Sequence, residues 1–243
     1  MPAAIETEQC SIPACERAAV AVVRQQDGGL FPVCERHVEK AAALGFPIVW
    51  PTGEPSASED HDRTQPRVAV GDAPPEIRLT LLDRASADGI GEIVDVSAIA
   101  DGRPVALVFG SYSVPKFRKH LGAIEDLYRR FADRVCFFLV YTKEIQPRGA
   151  ERARSGQAAR LFPENPTTLD ERAALARRLV HEFGLSLPVL LDGLDHEVTR
   201  SFGAFPMRLY LIGRDGGIAY QGALGPYAFQ PAELEAAIQD ELG

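Results

Sequence analysis

The stretch PVALVFGSYSVPKFRKHLGAIEDLYRRF, residues 104–131, decides the fold class of this chain. Its first six residues form a nearly continuous apolar run, which is typical of a strand buried on both faces of a sheet. Apolar side chains then recur at helical spacing, at Phe117, Leu121, Ile124, Leu127 and Phe131. A buried strand that leads directly into an amphipathic helix predicts an α/β domain.

The residues that follow repeat this alternation of strand and helix. Residues 135–141 and 188–191 predict two further buried strands. A helix between them begins near Thr168, because Glu171 stands at capping-box spacing from it, and ends at Gly184. The right-handed crossover rule makes the first two strands parallel neighbours.

The C-terminal part completes the sheet with antiparallel strands. Residues 207–212 and 218–221 predict a hairpin, and a closing helix begins at Pro231. Residues 142–167 carry glycine, proline and charge, and they predict an inserted loop. The resulting order predicts a central mixed sheet flanked by helices on both faces, which is the arrangement of the thioredoxin-like fold.

The junction FGSYSVPKF, residues 109–117, is where such a fold carries its chemistry. A helix N-terminus presents free backbone N–H groups and a partial positive charge. A thiol placed there has a lowered pKa and becomes a nucleophile at neutral pH. Gly110 permits the tight turn and Pro115 suits the start of the helix.

This junction resembles the active-site motif of the iodothyronine deiodinases, in which Phe-Gly-Ser-Cys-Thr is followed by selenocysteine and proline. Ser113 replaces the threonine of the motif, Tyr112 replaces its cysteine, and Val114 falls on its selenocysteine. The matching residues are Phe109, Gly110, Ser111, Pro115 and Phe117. The resemblance implies a thioredoxin-fold oxidoreductase whose substrate is contacted by Ser111, Pro115, Phe205 and Pro206.

Two other parts of the chain share this resemblance, which covers about two-thirds of the sequence. Residues 201–238 are similar to the C-terminal part of the family. The stretch from Tyr141 to Glu144 is similar to the loop of acidic residues that precedes His-Pro, and Gln146 stands in place of the histidine. The segment 71–75 is like the start of the wider peroxiredoxin relatives, so the predicted domain spans residues 71–243.

The substitution at residue 114 changes the chemistry that the resemblance implies. Valine has no nucleophilic atom and no redox states, and neither Tyr112 nor Ser113 can form a selenenyl or sulfenyl intermediate. Cys136 is the one thiol of this domain, and it is either a buried core residue or, alternatively, a catalytic one. The Phe205–Pro206 bond is either cis, as in thioredoxin relatives, or an ordinary trans bond.

A basic cluster, Arg118-Lys119-His120, follows the motif. One interpretation is a solvated helix face, and the other is an anion site at the helix N-terminus. The net charge of −8 argues against a nucleic-acid or anionic-membrane partner. No apolar run approaches the ~20 residues of a membrane span and no secretory signal is visible, so we expect a cytoplasmic protein.

The first 50 residues predict a small zinc-binding module, which a linker over residues 51–70 joins to the larger domain. Its candidate ligands have the arrangement C-x4-C-x18-C-x2-H, and they are Cys10, Cys15, Cys34 and His37. Two apolar runs, 18–23 and 30–33, predict a β-hairpin between the two pairs, and a helix over 35–44 follows. Four ligands close a tetrahedral site, so the zinc would be structural. The alternative is free or redox-sensing cysteines.

Three functions are compatible with these observations. The first is a degenerate deiodinase-like oxidoreductase, or one that depends on the thiol of a partner. The second is a non-enzymatic binding or regulatory protein, with a protein partner or a small aromatic or thiol ligand. The third is a zinc-dependent enzyme, which the closed set of four ligands disfavours.

Overall fold

The computed structural model describes residues 66–86, 89–145, 163–225 and 229–243, together with three short strands nearer the N-terminus. The chain divides into two compact units, residues 1–57 and 58–243. Each unit has its own sheet, so the two are described separately.

The N-terminal unit contains a three-stranded antiparallel sheet. Its strands are β1 (Ala21–Arg24), β2 (Leu30–Val33) and β3 (Ile48–Val49), in the order β2-β1-β3. Strands β1 and β2 pair from Ala21↔Val33 to Arg24↔Leu30, which confirms the predicted hairpin. The candidate zinc ligands, the predicted helix over 35–44 and residues 51–65 of the linker lie outside the described residues.

The larger unit is built on a seven-stranded mixed sheet. Its order is β10-β9-β6-β7-β8-β4-β5, in which β6, β7 and β8 run parallel and the other pairs are antiparallel. The strands are β4 (Arg78–Leu82), β5 (Ile90–Asp95), β6 (Val105–Gly110), β7 (Cys136–Tyr141), β8 (Val189–Leu191), β9 (Arg208–Ile212) and β10 (Ile218–Gln221).

Five described helices cover both faces of this sheet. They are α1 (Val96–Ala100), α2 (Pro115–Phe131), α3 (Leu169–Phe183), α4 (Glu197–Ser201) and α5 (Pro231–Leu242). Helices α2, α3 and α5 pack on one face, against side chains such as Val108 of β6. Helices α1 and α4 pack on the other, against side chains such as Phe109. Every residue of β6 and β7 is buried, because both faces of these strands are covered.

The structure confirms the α/β thioredoxin-like fold over the described part of the larger unit. Strands β6 and β7 are parallel neighbours, and β9 and β10 form the predicted hairpin. Thr168 and Glu171 form the capping box of α3, and Gly184 ends that helix in the left-handed conformation. The hairpin β4–β5 and the short helices α1 and α4 were not predicted from the sequence. Strand β5 is half exposed at the edge of the sheet and α1 and α4 have five residues each, so their periodicity is weak.

Among the described residues, no helix combines the length and the apolar character that crossing a bilayer requires.

Candidate functional site at the N-terminus of helix α2

The loop between β6 and α2 lies at the carboxyl end of the parallel strands. Strand β6 ends at Gly110, and α2 begins at Pro115 in the first helical position. Val114 is the N-cap residue and has extended backbone angles, φ −85° and ψ 101°. A Cβ atom at Gly110 would lie 2.5 Å from the ring of Phe117, so this close approach requires glycine.

The structure brings the predicted nucleophile position and its neighbours together in the core. Val114 is 1% exposed and belongs to the same apolar cluster as Tyr112 and Phe117. Ser111 and Ser113 are fully buried. The hydroxyl of Ser111 has no hydrogen-bond partner among the described residues. These motif side chains therefore face the core, and valine fills the space beside the helix N-terminus.

A buried glutamate joins this loop to strand β7. Oε2 of Glu144 accepts a hydrogen bond of 2.7 Å from the backbone N–H of Ser113, and the Tyr141 hydroxyl donates to Oε1. The hydroxyl of Ser113 in turn accepts from the N–H of Ile145 at 2.7 Å. Burial, followed by the adjacent Glu144 carboxyl, raises the pKa of Tyr141 well above its ordinary value. Tyr141 is therefore a neutral hydrogen-bond donor at physiological pH.

Sequence reasoning did not select Tyr141 and Glu144 as site residues. It placed them in a stretch similar to a family loop, and that resemblance was the signal that could have identified them. Their proximity to Ser113 depends on the parallel pairing Gly110↔Tyr141, which sets the ends of β6 and β7 side by side. The pairing of strands distant in sequence is a tertiary property.

The side chain of Tyr112 is held by two helices. Its hydroxyl donates a hydrogen bond of 2.7 Å to Oε2 of Glu182. The guanidinium carbon of Arg178 lies 4.3 Å from the ring centroid, and that of Arg118 lies 5.2 Å from it. Burial, and then the bond to Glu182, raises the pKa of the Tyr112 hydroxyl.

The basic cluster after the motif is not a uniform solvated face. Arg118 is half-buried and donates to the backbone carbonyl of Tyr112. His120 packs against the ring of Phe229, with 5.6 Å between the ring centroids, and Lys119 is exposed. Burial, and then the charges of the neighbouring lysines, lowers the pKa of His120. The interpretation of a solvated helix face therefore fits Lys119 and is wrong for Arg118.

A second set of buried charges lies beside the end of β8. Arg172 is 1% exposed and donates to the backbone carbonyls of Asp192 and Gly193. One carboxylate oxygen of Asp192 accepts from the N–H of Thr199 at 3.0 Å and from its hydroxyl. Burial lowers the pKa of Arg172 and raises that of Asp192. This set fixes the turn between β8 and α4.

The predicted substrate residues Phe205 and Pro206 lie just before β9. The peptide bond between them is cis. Arg208, two residues later, pairs with Phe109 of β6, so this turn adjoins the loop that begins after Gly110. The Lys143 ammonium lies 5.9 Å from the centroid of the Phe205 ring.

The thiol of Cys136 lies at the opposite end of the sheet from the site. Cys136 pairs with Val105, whereas the site follows the pairing Gly110↔Tyr141 five residues further on. At about 3.3 Å per residue, the two positions are separated by roughly 17 Å. Cys136 is free and 6% exposed, and burial raises the pKa of its thiol. The structure thus places it in the core.

In the part of the chain that the structure describes, no group of three or more histidine, cysteine or acidic side chains is arranged to hold a metal ion. The ligands predicted for zinc, Cys10, Cys15, Cys34 and His37, are outside that part.

Comparison with known proteins supports the resemblance to the deiodinase family. The sequence profile of the iodothyronine deiodinase family matches residues 58–241. The chain is 30% identical over 137 residues to the type I iodothyronine deiodinase of Xenopus laevis, which covers 56% of this chain and 52% of that protein. It is 34% identical over 140 residues to the type II iodothyronine deiodinase of Petromyzon marinus, which covers 56% and 46%.

Among solved structures, a hypothetical protein from Sinorhizobium meliloti superposes with a TM-score of 0.52 at 18% identity, over 72% of this chain and 85% of that one. This similarity concerns the fold alone. The chain spans about half the length of the curated relatives it matches. Because the family profile covers most of the larger unit, including the loop before α2, this chain belongs to the iodothyronine deiodinase family.

Proposed function

We propose that this member of the deiodinase family binds a ligand or a partner at the N-terminus of α2 and carries out no chalcogen redox chemistry of its own there. The observation that carries the proposal is Val114, an aliphatic N-cap residue at the position that the motif resemblance assigns to selenocysteine. A valine side chain can neither attack a substrate nor store electrons. The ligand class that we expect is a protein or a small aromatic or thiol compound.

The position of the described thiol supports the proposal. Cys136 lies about 17 Å along the strands from the loop, and its thiol is buried with a raised pKa. A thiol reacts as the thiolate, so a buried thiol of raised pKa is inert at neutral pH.

A second candidate is an oxidoreductase that uses the thiol of a partner. The observation that favours it is the buried hydrogen-bond set around Ser113, Tyr141 and Glu144, next to residue 114. Polar groups are costly to bury. Their presence beside a valine is therefore compatible with a reaction in which a partner protein supplies the thiol.

The deciding experiment measures turnover by the purified full chain with dithiothreitol, using thyroxine or hydrogen peroxide as substrate. We expect release of iodide and consumption of peroxide to equal the rates without protein. Addition of a candidate partner thiol protein tests the second candidate, because only that function predicts turnover that needs both proteins. Turnover by the chain alone would overturn the proposal.

Replacement of Val114 by cysteine tests whether the loop can activate a nucleophile. Val114 offers no side-chain acceptor to the N–H groups of the first turn, and a thiolate would. We expect the new thiol to ionise below pH 8.5, as followed by thiolate absorbance relative to the unmodified chain. The matched control is Ala176→Cys, at an equally buried position in the interior of α3. An equal or higher pKa at residue 114 would contradict the assignment of the site.

We also propose that the N-terminal unit binds a structural zinc ion through Cys10, Cys15, Cys34 and His37. The hairpin supports this zinc site, because the pairing Ala21↔Val33 brings together two strand ends. One is the start of β1, which follows Cys10 and Cys15, and the other is the end of β2, which precedes Cys34 and His37. Elemental analysis of the purified chain should give about one zinc per molecule. The variant Cys34→Ala should lose the metal, while Cys136→Ala should retain it. Metal-free protein with reactive N-terminal thiols would favour redox-sensing cysteines instead.

A further inference from the structure

The side chain of Tyr112 contacts charged side chains from two helices. Arg118 of α2 and Arg178 of α3 place their guanidinium groups against the aromatic ring, and Glu182 of α3 accepts the hydrogen bond of the hydroxyl. We call Arg118, Arg178 and Glu182 the phenol clamp. Tyr112 as a whole residue is 3% exposed.

The clamp has contacts of its own that do not depend on the tyrosine ring. Nε of Arg178 donates a hydrogen bond of 2.8 Å to Oε1 of Glu182, one turn later on α3. Arg118 donates to the backbone carbonyl of Tyr112, which any residue at that position would supply. Truncation of the ring would therefore leave a slot whose polar groups are already positioned, and preorganisation of this kind lowers the cost of binding.

The chemistry of the slot selects one class of small molecule. Guanidinium groups attract the face of an aromatic ring, and an ionised carboxylate is a strong acceptor for a phenolic hydroxyl. Tyr112 belongs to the same apolar cluster as Val114 and Phe117. A ligand that makes all these contacts is a phenol with a small apolar group para to the hydroxyl.

We infer that the phenol clamp is a binding site for para-substituted phenols, which the chain's own Tyr112 occupies as an internal ligand. The inference rests on the proposed function, in that it names the ligand class of this end of the fold and the group that a ligand must displace. The side chains of Arg178 and Glu182 remain 33% and 40% exposed, so the slot faces solvent when the ring leaves it. A tethered ring competes at high effective concentration, so the native chain binds free phenols weakly.

The test vacates the slot and supplies the missing side chain in solution. In the full chain carrying Tyr112→Ala, p-cresol has the structure of the deleted group. At a free concentration of about ten times its dissociation constant, it should raise the Tm of this variant by about 3–6 °C. The same concentration should leave the native chain nearly unchanged. Toluene, which lacks the hydroxyl, should bind the variant at least tenfold more weakly.

Two further variants distinguish specific binding of p-cresol by the phenol clamp from the filling of a simple cavity. Tyr128→Ala removes a half-buried tyrosine from α2, where the ring packs against Phe137 at a centroid distance of 5.8 Å. There p-cresol should have no advantage over toluene. Addition of Arg178→Met to Tyr112→Ala should remove the preference for p-cresol, because that guanidinium holds both the ring and Glu182.

A folded Tyr112→Ala chain that p-cresol does not stabilise, or stabilises no better than toluene, overturns the inference. If that variant does not fold with or without p-cresol, the native chain labelled with 3-fluorotyrosine gives the second measurement. Tyr112→Phe identifies the fluorine resonance of Tyr112, and millimolar p-cresol should shift it towards its solvent-exposed position. The absence of any shift up to the solubility limit of p-cresol would overturn the inference. None of these measurements involves redox turnover, so their failure is distinct from failure of the proposed function.

Discussion

The backbone N–H of Ser113 donates a hydrogen bond of 2.7 Å to Oε2 of Glu144, a residue 31 positions later in the chain. This bond ties the loop before α2 to the end of β7, at the carboxyl edge of the parallel strands. Glu144 is fully buried, and its other oxygen accepts from the Tyr141 hydroxyl. The glutamate therefore determines where the loop can lie.

Replacement of Glu144 by glutamine should destabilise the larger unit. The amide has one acceptor oxygen in place of two, so either the Ser113 N–H or the Tyr141 hydroxyl faces an NH2 group inside the core. A buried donor left without an acceptor costs about 1–3 kcal/mol. Urea unfolding should show this loss in the free energy of unfolding. The control is Glu76→Gln at an exposed position, whose free energy of unfolding should stay within about 0.5 kcal/mol of the native value. Equal losses of stability in the two variants would contradict the structural role of Glu144.

Gly110 and Gly122 should respond in opposite directions to alanine. A Cβ at Gly110 meets the Phe117 ring at 2.5 Å, and overpacking of this kind costs about 1–3 kcal/mol. A Cβ at Gly122, inside α2, meets nothing within 4 Å, so Gly122→Ala should stabilise by about 0.5–1 kcal/mol. Thermal unfolding of both variants checks the signs. A neutral Gly110→Ala would show that the Phe117 ring can move aside without cost.

The stability of the larger unit should depend on the ionisation of Glu125. Burial acts to raise the pKa of this carboxyl, but hydrogen bonds from the side chain and backbone of Ser186, from Arg129 and from Leu187 outweigh it and lower the pKa below the ordinary 4.5. A depressed pKa adds stability above the unfolded value, and that stability is lost as the pH falls through the folded value. The difference in unfolding free energy between the native chain and Glu125→Gln should therefore shrink below pH 4.5.

Denaturant unfolding at several pH values measures this difference. The exposed Glu92→Gln serves as the control, and its difference from the native chain should vary little over the same range. A Glu125→Gln effect that is constant from pH 7 to about pH 3 would show that the charge of Glu125 does not contribute.

The start of α3 should depend on the hydroxyl of Thr168. That oxygen accepts from the N–H of Glu171 at 3.2 Å, and the Glu171 carboxylate accepts from the N–H of Thr168 at 3.3 Å. Thr168→Ala should cost about 1 kcal/mol in unfolding free energy, because an N-terminal N–H loses its acceptor. Thr168→Ser keeps the oxygen and should cost less than half as much. Equal costs would mean that the methyl group, and not the cap, is what stabilises the helix.

The elements with strong local signals were predictable from the sequence. The apolar run before Gly110, the helical spacing in residues 117–131 and the cap at Thr168 each depend on neighbours within a few residues. The edge hairpin β4–β5 was missed, since half-exposed edge strands have weak alternation. For the candidate site, the motif in the sequence predicts residues 111–115, but it did not predict Tyr141 or Glu144, or the contacts that hold Tyr112.

The sequence by itself determined that a valine stands before α2 and that the chain alternates strands and helices around it, because residue identity and periodicity are local properties. The tertiary structure decided which groups surround that valine. The parallel pairing of β6 with β7 brings Glu144 to Ser113, and the packing of α2 beside α3 brings Arg118, Arg178 and Glu182 to one tyrosine ring. The bonds of Glu144 to Ser113 and of Glu182 to Tyr112 join residues 31 and 70 positions apart, and the burial of shared apolar surface brings such distant residues together.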